Sequence, residues 1–157
     1  MDILIVVTGI LRLCVELHGG YAKVKVLYEK ILVVDDDPNV STVLGEIAGL
    51  IGYRSVEKAE NGLEALEKYE VLKPELVLMD LDMPVMDGYR ACREIRRSDP
   101  DAKIIVITGD LWSTLARRTI KEGLANKFLQ KPVNTSSLVE IIKKVTTSAE
   151  TLERSNH

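Results

Sequence analysis

The stretch Ile31-Leu32-Val33-Val34-Asp35-Asp36-Asp37-Pro38 decides how this chain folds. Four consecutive apolar residues read as a strand buried on both faces, the form that strands take in a parallel sheet covered by helices on each side. Three carboxylates end it. Asp37 can then cap a helix whose first position is Pro38, since the first turn has no partner for the N–H that proline lacks. Val40, Val43, Leu44, Ile47 and Ile51 recur on one helical face, and Gly52 follows the last of them. A strand, an acidic turn and an amphipathic helix make one βα unit.

That unit recurs four more times. Strands are expected near Lys30 to Asp35, Arg54 to Lys58, Leu76 to Asp80, Ile104 to Thr108 and Lys127 to Gln130. Asn61-Gly62 opens a second helix carrying Leu63, Leu66, Tyr69 and Leu72, which Pro74 stops. Gly88 leads into a third with Ala91, Cys92 and Ile95; Ser113 caps a fourth ending at Gly123; Asn134 to Ser137 start a fifth with Leu138, Ile141, Ile142 and Val145. Strands alternating with helices in this way predict an α/β protein with five helices around a five-stranded parallel sheet. The polar tail from Thr146 to His157 is expected to fray.

A chain of 157 residues has the size of one domain with a full core. Its 46% hydrophobic and 29% charged residues are ordinary for a globular protein, and a net charge of -3 gives no reason to expect nucleic acid as a direct ligand. Cys14 and Cys92 are too few for a disulfide framework and no Cys/His cluster has zinc spacing, so a reduced cytoplasm is the simpler expectation. The apolar stretch Ile3 to Leu17 is too short for a membrane span and is interrupted by Arg12 and Glu16. Asp2 stands where a signal peptide would carry basic residues.

Chemistry is expected where the strands end. In open parallel α/β sheets ligands bind beyond the carboxyl ends of the strands, at the point where the strand order reverses. Asp35, Asp36, Asp80, Thr108 and Lys131 all fall at such ends. Carboxylates brought to about 4 Å repel each other by several kcal/mol per pair at an effective dielectric near 20, unless a cation offsets them. Magnesium suits such a set, because it takes oxygen ligands in octahedral geometry and keeps several waters. Asp37 reads as a helix cap, Asp82 and Asp87 as loop and turn residues, and Phe128 as a partly buried packing residue.

With Leu78-Met79-Asp80-Leu81-Asp82-Met83-Pro84-Val85-Met86-Asp87-Gly88, Ile107-Thr108-Gly109 and Leu129-Gln130-Lys131-Pro132 beside the first stretch, the chain resembles the receiver domain of two-component response regulators from Tyr28 to Val145. The resemblance implies a flavodoxin-like, doubly wound sheet in the order 2-1-3-4-5. It implies Asp80 as phosphoacceptor, Asp35 and Asp36 as the acidic pair around Mg2+, and the backbone carbonyl of Asp82 as a further ligand. Thr108 would contact the phosphoryl oxygens, Lys131 would pair with them, and Phe128 would stand at the switch aromatic. A cis Lys131-Pro132 bond is implied as well. Gly109 departs from the family, where alanine is common.

By the same resemblance the chain is expected to be a stand-alone phosphorylation switch and not an enzyme, beyond self-catalysed phosphoryl transfer and autodephosphorylation. It would take its phosphoryl group from a sensor histidine kinase or histidine phosphotransfer protein. It would act on a downstream effector protein through the fourth and fifth helices and the strand between them, as a monomer or a phosphorylation-dependent dimer. A receiver cut from a longer regulator is an alternative. Asp80-Leu81-Asp82 also resembles the DxD signature of haloacid dehalogenase-like phosphohydrolases, but there the DxD strand comes first and the acidic pair later.

The expected organisation is an N-terminal extension over residues 1–26, a receiver domain over 27–148 and a polar tail over 149–157. Ile5-Val6-Val7-Thr8-Gly9 echoes Ile105-Val106-Ile107-Thr108-Gly109, which is too short to argue duplication. A misplaced start is the more economical reading. Gly19-Gly20 can be encoded by a purine-rich ribosome-binding sequence, and Val24, Val26 or Leu27 can arise from alternative start codons.

Overall fold

A computed structural model describes residues 2–7, 11–18 and 21–151, with side chains described from 28 to 146. The strands are β1 (Asp2–Val7), β2 (Leu11–His18), β3 (Tyr21–Val34), β4 (Tyr53–Ala59), β5 (Leu76–Met79), β6 (Ile104–Thr108) and β7 (Lys127–Gln130). The helices are α1 (Pro38–Ile51), α2 (Gly62–Leu72), α3 (Gly88–Ser98), α4 (Thr114–Lys121) and α5 (Thr135–Thr151). β3 through β7 pair in parallel in the spatial order β4-β3-β5-β6-β7, the expected 2-1-3-4-5. Hydrogen-bonded turns and caps fix where each helix starts and stops. Asp37 accepts the N–H groups of Asn39 and Val40, Asn61 accepts that of Glu64, Asp87 that of Arg90 and Ser113 that of Ala116. Gly52, at φ 119°, ends α1 in the left-handed region where glycine has no steric penalty.

Two expectations are corrected. The first strand does not begin at Lys30; it is a 14-residue strand whose N-terminal half pairs antiparallel with β2, from Arg12 opposite Leu27 to His18 opposite Tyr21. β1 pairs in turn with β2. A search for βα units passes over this ladder, because antiparallel neighbours leave no helix between them. Nor does the tail fray from Thr146: α5 continues to Thr151. Thr146 lies within the helix, where its hydroxyl donates to the Ile142 carbonyl at 2.8 Å. The echo from Ile5 to Gly9 and the tail beyond Thr151 reach outside the described residues. Among the described residues no helix is long and apolar enough to cross a membrane.

Each face of the parallel sheet has its own core. Leu32, Val34, Val77, Met79, Ile104 and Val106 point toward α2, α3 and α4, whereas Ile31, Val33, Leu76, Leu78, Ile105 and Ile107 point toward α1 and α5. The alternation follows from the two-residue period of a strand. Burying such side chains stabilises the fold by about 1.5–3 kcal/mol each, so the strands are held rigidly and their carboxyl ends are fixed points.

Candidate functional site

Asp35 follows β3, and Asp80 follows β5, the strand beside it. The Asp80 N–H donates to the Val34 carbonyl at 2.9 Å and the Asp35 N–H to the Ala59 carbonyl at 3.0 Å, so the ladder continues one residue past the strands and brings both acids to one rim. Both are almost fully buried. Asp36, next in the chain, is exposed. Carboxylate oxygens of Asp35, Asp36 and Asp80 lie within 4.8 Å of one another. At an effective dielectric near 20 that separation costs about 3 kcal/mol per charged pair.

Lys131 answers part of this charge. Its Nζ donates to Asp35 Oδ2 at 2.6 Å and lies 3.3 Å from Asp80 Oδ2. The lysine follows β7, and its backbone N–H donates to the Thr108 carbonyl at 2.8 Å, which ties the ends of β6 and β7 together. The peptide bond from Lys131 to Pro132 is cis. Burial pulls the ammonium pKa down, but the hydrogen bond it donates to Asp35 and the charges of Asp80 and Asp35 outweigh it and hold the pKa above the ordinary lysine value. Asp80 is pushed up to about 6: burial dominates and the Asp35 charge adds to it, against the pull of Lys131 and of the Leu81 N–H. That N–H donates to Asp80 Oδ1 at 2.8 Å, and the Asp37 N–H donates to Asp35 Oδ1 at 3.0 Å.

One lysine and two backbone donors thus face three carboxylates. The donor set is oxygen only, mostly buried and short of positive charge, which fits a hard divalent cation. Thr108 is fully buried at the end of β6, and its hydroxyl oxygen accepts the Asp110 N–H at 3.4 Å. Phe128 packs half-buried against the core of the α2–α4 face. Asp82 is exposed in the loop between β5 and α3. A Cβ added at Gly109 would meet nothing within 4 Å, so alanine and glycine are sterically equivalent there.

Sequence reasoning missed how closely this loop is held. A Cβ at Gly88 would lie 1.9 Å from the Asp80 carbonyl oxygen, and one at Gly62 would lie 2.7 Å from that of Met86. Glycine is needed at both places because backbone passes against backbone. Gly88 N–H donates to Leu81 O at 3.0 Å and Gly62 N–H to Met86 O at 2.9 Å. The Met86-Asp87-Gly88 run carries this signal, but only as the start of a helix. Also missed was an apolar groove of about 520 Å³ beside the site, formed by Val40, Val43, Leu44 and Ile47 of α1 with Pro132 and Val133.

A doubly wound parallel sheet with acids at two adjacent strand ends and a lysine at a third defines a class of phosphoryl-handling signalling domains. The comparisons with known proteins agree. Residues 31–143 match the family described as response regulator receiver domain. The chain is 41% identical over 117 residues to the chemotaxis protein CheY of Thermotoga maritima, covering 74% of this chain and 97% of that one. Among solved structures it is similar to a CheY-like receiver domain from Methanospirillum hungatei, with TM-score 0.73 and 31% identity over 79% of this chain and 98% of that one. It is also similar to TrrA of Thermotoga maritima, solved with Mg2+ and a beryllium fluoride, with TM-score 0.66 and 37% identity over 74% and 98% of the two chains. The chain belongs to the response regulator receiver domain family.

Proposed function

We propose that Asp80 is the phosphoacceptor of this switch. The observation that carries the reading is the convergence of Asp35, Asp36, Asp80 and Lys131 on one rim of the sheet. Asp80 would attack the phosphorus of a phosphohistidine, forming a P–O bond as the P–N bond breaks and the imidazole leaves. Lys131 would take one phosphoryl oxygen. The Thr108 hydroxyl, which only accepts a bond among the described residues, has its own proton to donate to another. Asp35, Asp36, Asp80 and the Asp82 carbonyl would hold Mg2+, which supplies neutralisation of the charge that develops during transfer. Beyond this transfer and autodephosphorylation, in which water takes the phosphoryl group from Asp80 and inorganic phosphate leaves, the protein would turn nothing over.

The donor is a sensor histidine kinase or histidine phosphotransfer protein. It must cover the rim to bring its histidine over Asp80, and the apolar groove between α1 and Val133 borders that approach. Output passes to an effector protein in the cytoplasm, through α4, β7 and α5, with Thr108 and Phe128 as the moving parts. The receiver unit is residues 27–148, with residues 1–26 and 149–157 outside it, although β3 runs through the first of these boundaries and α5 through the second. This is supported by a parallel ladder that begins with Tyr28 opposite Tyr53. Protein lacking residues 1–26 is expected to stay within about 1 kcal/mol of the full chain, the size of a modest single mutation.

Incubation with acetyl phosphate and Mg2+, followed by intact mass measurement, is expected to add one phosphoryl group to the wild type and none to Asp80→Asn. Undiminished labelling of that variant would sink the assignment. Catalytic turnover of a phosphomonoester would point to a hydrolase instead.

A further inference from the structure

The antiparallel ladder that precedes the receiver sheet sorts its residues by face. Opposed residues in such a ladder share a face, and neighbours along a strand alternate between faces. Ile3 stands opposite Val15 and Val15 opposite Val24; Ile5 stands opposite Leu13 and Leu13 opposite Val26. Their face takes three positions from β1, four from β2 and three from β3 before Leu27, and all of them are apolar. The other face holds every Asp, Glu, Lys and Arg of this segment: Asp2, Arg12, Glu16, Lys23 and Lys25, with Glu16 opposite Lys23. Both ladders keep a constant register, so no bulge mixes the two sets. Segregation of this kind belongs to a sheet with one covered face, and it argues for residues 1–26 as a working part of the chain.

The chain itself supplies no cover of matching extent. Among the described residues β1 and β2 pack closely against each other and against β3, while the helices pack on β3, on the strands after it and on one another. Burying one aliphatic side chain takes roughly 60–120 Å² out of water. The ten apolar positions therefore amount to roughly 600–1,200 Å², more than a monomer commonly leaves open and close to the roughly 800 Å² that each partner brings to a standard interface. The face carries no charge with which to select a charged partner. A lipid surface fits poorly, because the open edge of β1 would be left unpaired in hydrocarbon and the two acids and three bases of the other face nearly cancel. A second copy of the chain offers a face of the same size and the same apolarity by identity.

We propose that two copies of the chain pack the apolar faces of their β1-β2-β3 ladders together, sheet on sheet, as a two-fold dimer. Stacked sheets of this kind lie about 10 Å apart with their strands within about 30° of each other. The contact pairs one surface with itself, so assembly stops at two copies. Asp35 follows the carboxyl end of β3, about 30 Å of extended strand from Val26, and the dimer therefore leaves the phosphoryl site free. Association does not depend on Asp80, which separates it from the function proposed above.

Sedimentation velocity of the full chain over a concentration series tests this, at about 50 mM and about 500 mM salt, on either side of the physiological screening length. The wild type and Asp80→Asn are both expected to reach twice 17.5 kDa, and to do so at either salt concentration, because an apolar contact is not screened. Val15→Glu places a charge in the middle of the apolar face and should remain monomeric. Cys14→Glu puts the same side chain one position earlier, on the charged face opposite Lys25, and should dimerise as the wild type does. A wild type that stays at 17.5 kDa overturns the proposal, and flotation of that monomer with phosphatidylcholine vesicles would assign the face to lipid instead. Growth beyond two copies would point to pairing along the β1 edge and overturns it too. So does an equal effect of glutamate at positions 14 and 15, since only alternation between faces separates them.

Discussion

Two ion pairs in this protein have the same length and opposite significance. Lys131 meets Asp35 at 2.6 Å at the rim of the sheet, and Lys144 meets Glu140 at 2.6 Å on the outer face of α5. On α5 both partners stand mostly in water, with 61% and 65% of their side chains exposed. There the attraction is screened and the side chains give up rotamer freedom to meet. At the rim the Asp35 side chain is 1% exposed, and a second buried carboxylate, Asp80, shares the same ammonium. Distance alone does not measure an interaction; the water removed around it does. The rim is thus a place where the fold retains uncompensated charge, and that deficit is what a cation or a phosphoryl group can act on.

Removing each lysine should separate the two cases most widely. Lys131→Met leaves two buried carboxylates facing each other and is expected to cost about 3 kcal/mol of unfolding free energy without Mg2+. Urea unfolding measures it, and a loss near that of a surface variant would mean that the rim is far wetter than its burial indicates. The next effect is the gain from the metal. Mg2+ at about 100 times its dissociation constant should stabilise the wild type by about 2.7 kcal/mol. Asp36→Asn should raise the metal-free melting temperature by relieving repulsion while shrinking that gain, and an unchanged response to Mg2+ would remove Asp36 from the site.

Acidity should distinguish the regions next. Asp80 ionises near 6 in the folded protein against an ordinary value of 3.8. The native state therefore holds more protons than the unfolded chain between these values, and metal-free stability falls as pH rises through the window. The contribution of one group is at most about 1.4 kcal/mol per pH unit. The wild type should lose stability relative to Asp80→Asn between about pH 4 and pH 6. A flat difference would show that Asp80 ionises normally. The smallest effect belongs to α5: Lys144→Ala should change stability by no more than about 0.5 kcal/mol, the range for an exposed pair four residues apart on a helix. A larger loss in the same urea assay would make the outer pair more than a solvated contact.

Much of this was legible in the chain itself. The apolar run Ile104 to Thr108 appears as a strand with the expected limits, because it is buried along its whole length between helices on both faces, and the shorter edge run Lys127 to Gln130 appears with the expected limits although its two ends are exposed. The caps Asp37, Asn61 and Ser113 were readable for a related reason: a side chain that bonds its own backbone within three residues needs no distant partner. The first strand was not readable in full, since its N-terminal half owes its state to β2 and not to the repeating unit around it.

The residue types of the site were likewise fixed by the sequence, because strand order alone brings Asp35, Asp36, Asp80, Thr108 and Lys131 to one edge. What the tertiary structure decided is how each one is held. The sequence does not distinguish Asp35 from Asp36, which are chemically identical neighbours, yet one is buried under Lys131 and the other faces water. Nor does it show that Gly62 and Gly88 are glycines because carbonyl oxygens occupy the space a side chain would need. Pattern along a chain records local geometry and periodicity. Burial, and with it the strength of every charge at the rim, exists only once distant segments exclude water together.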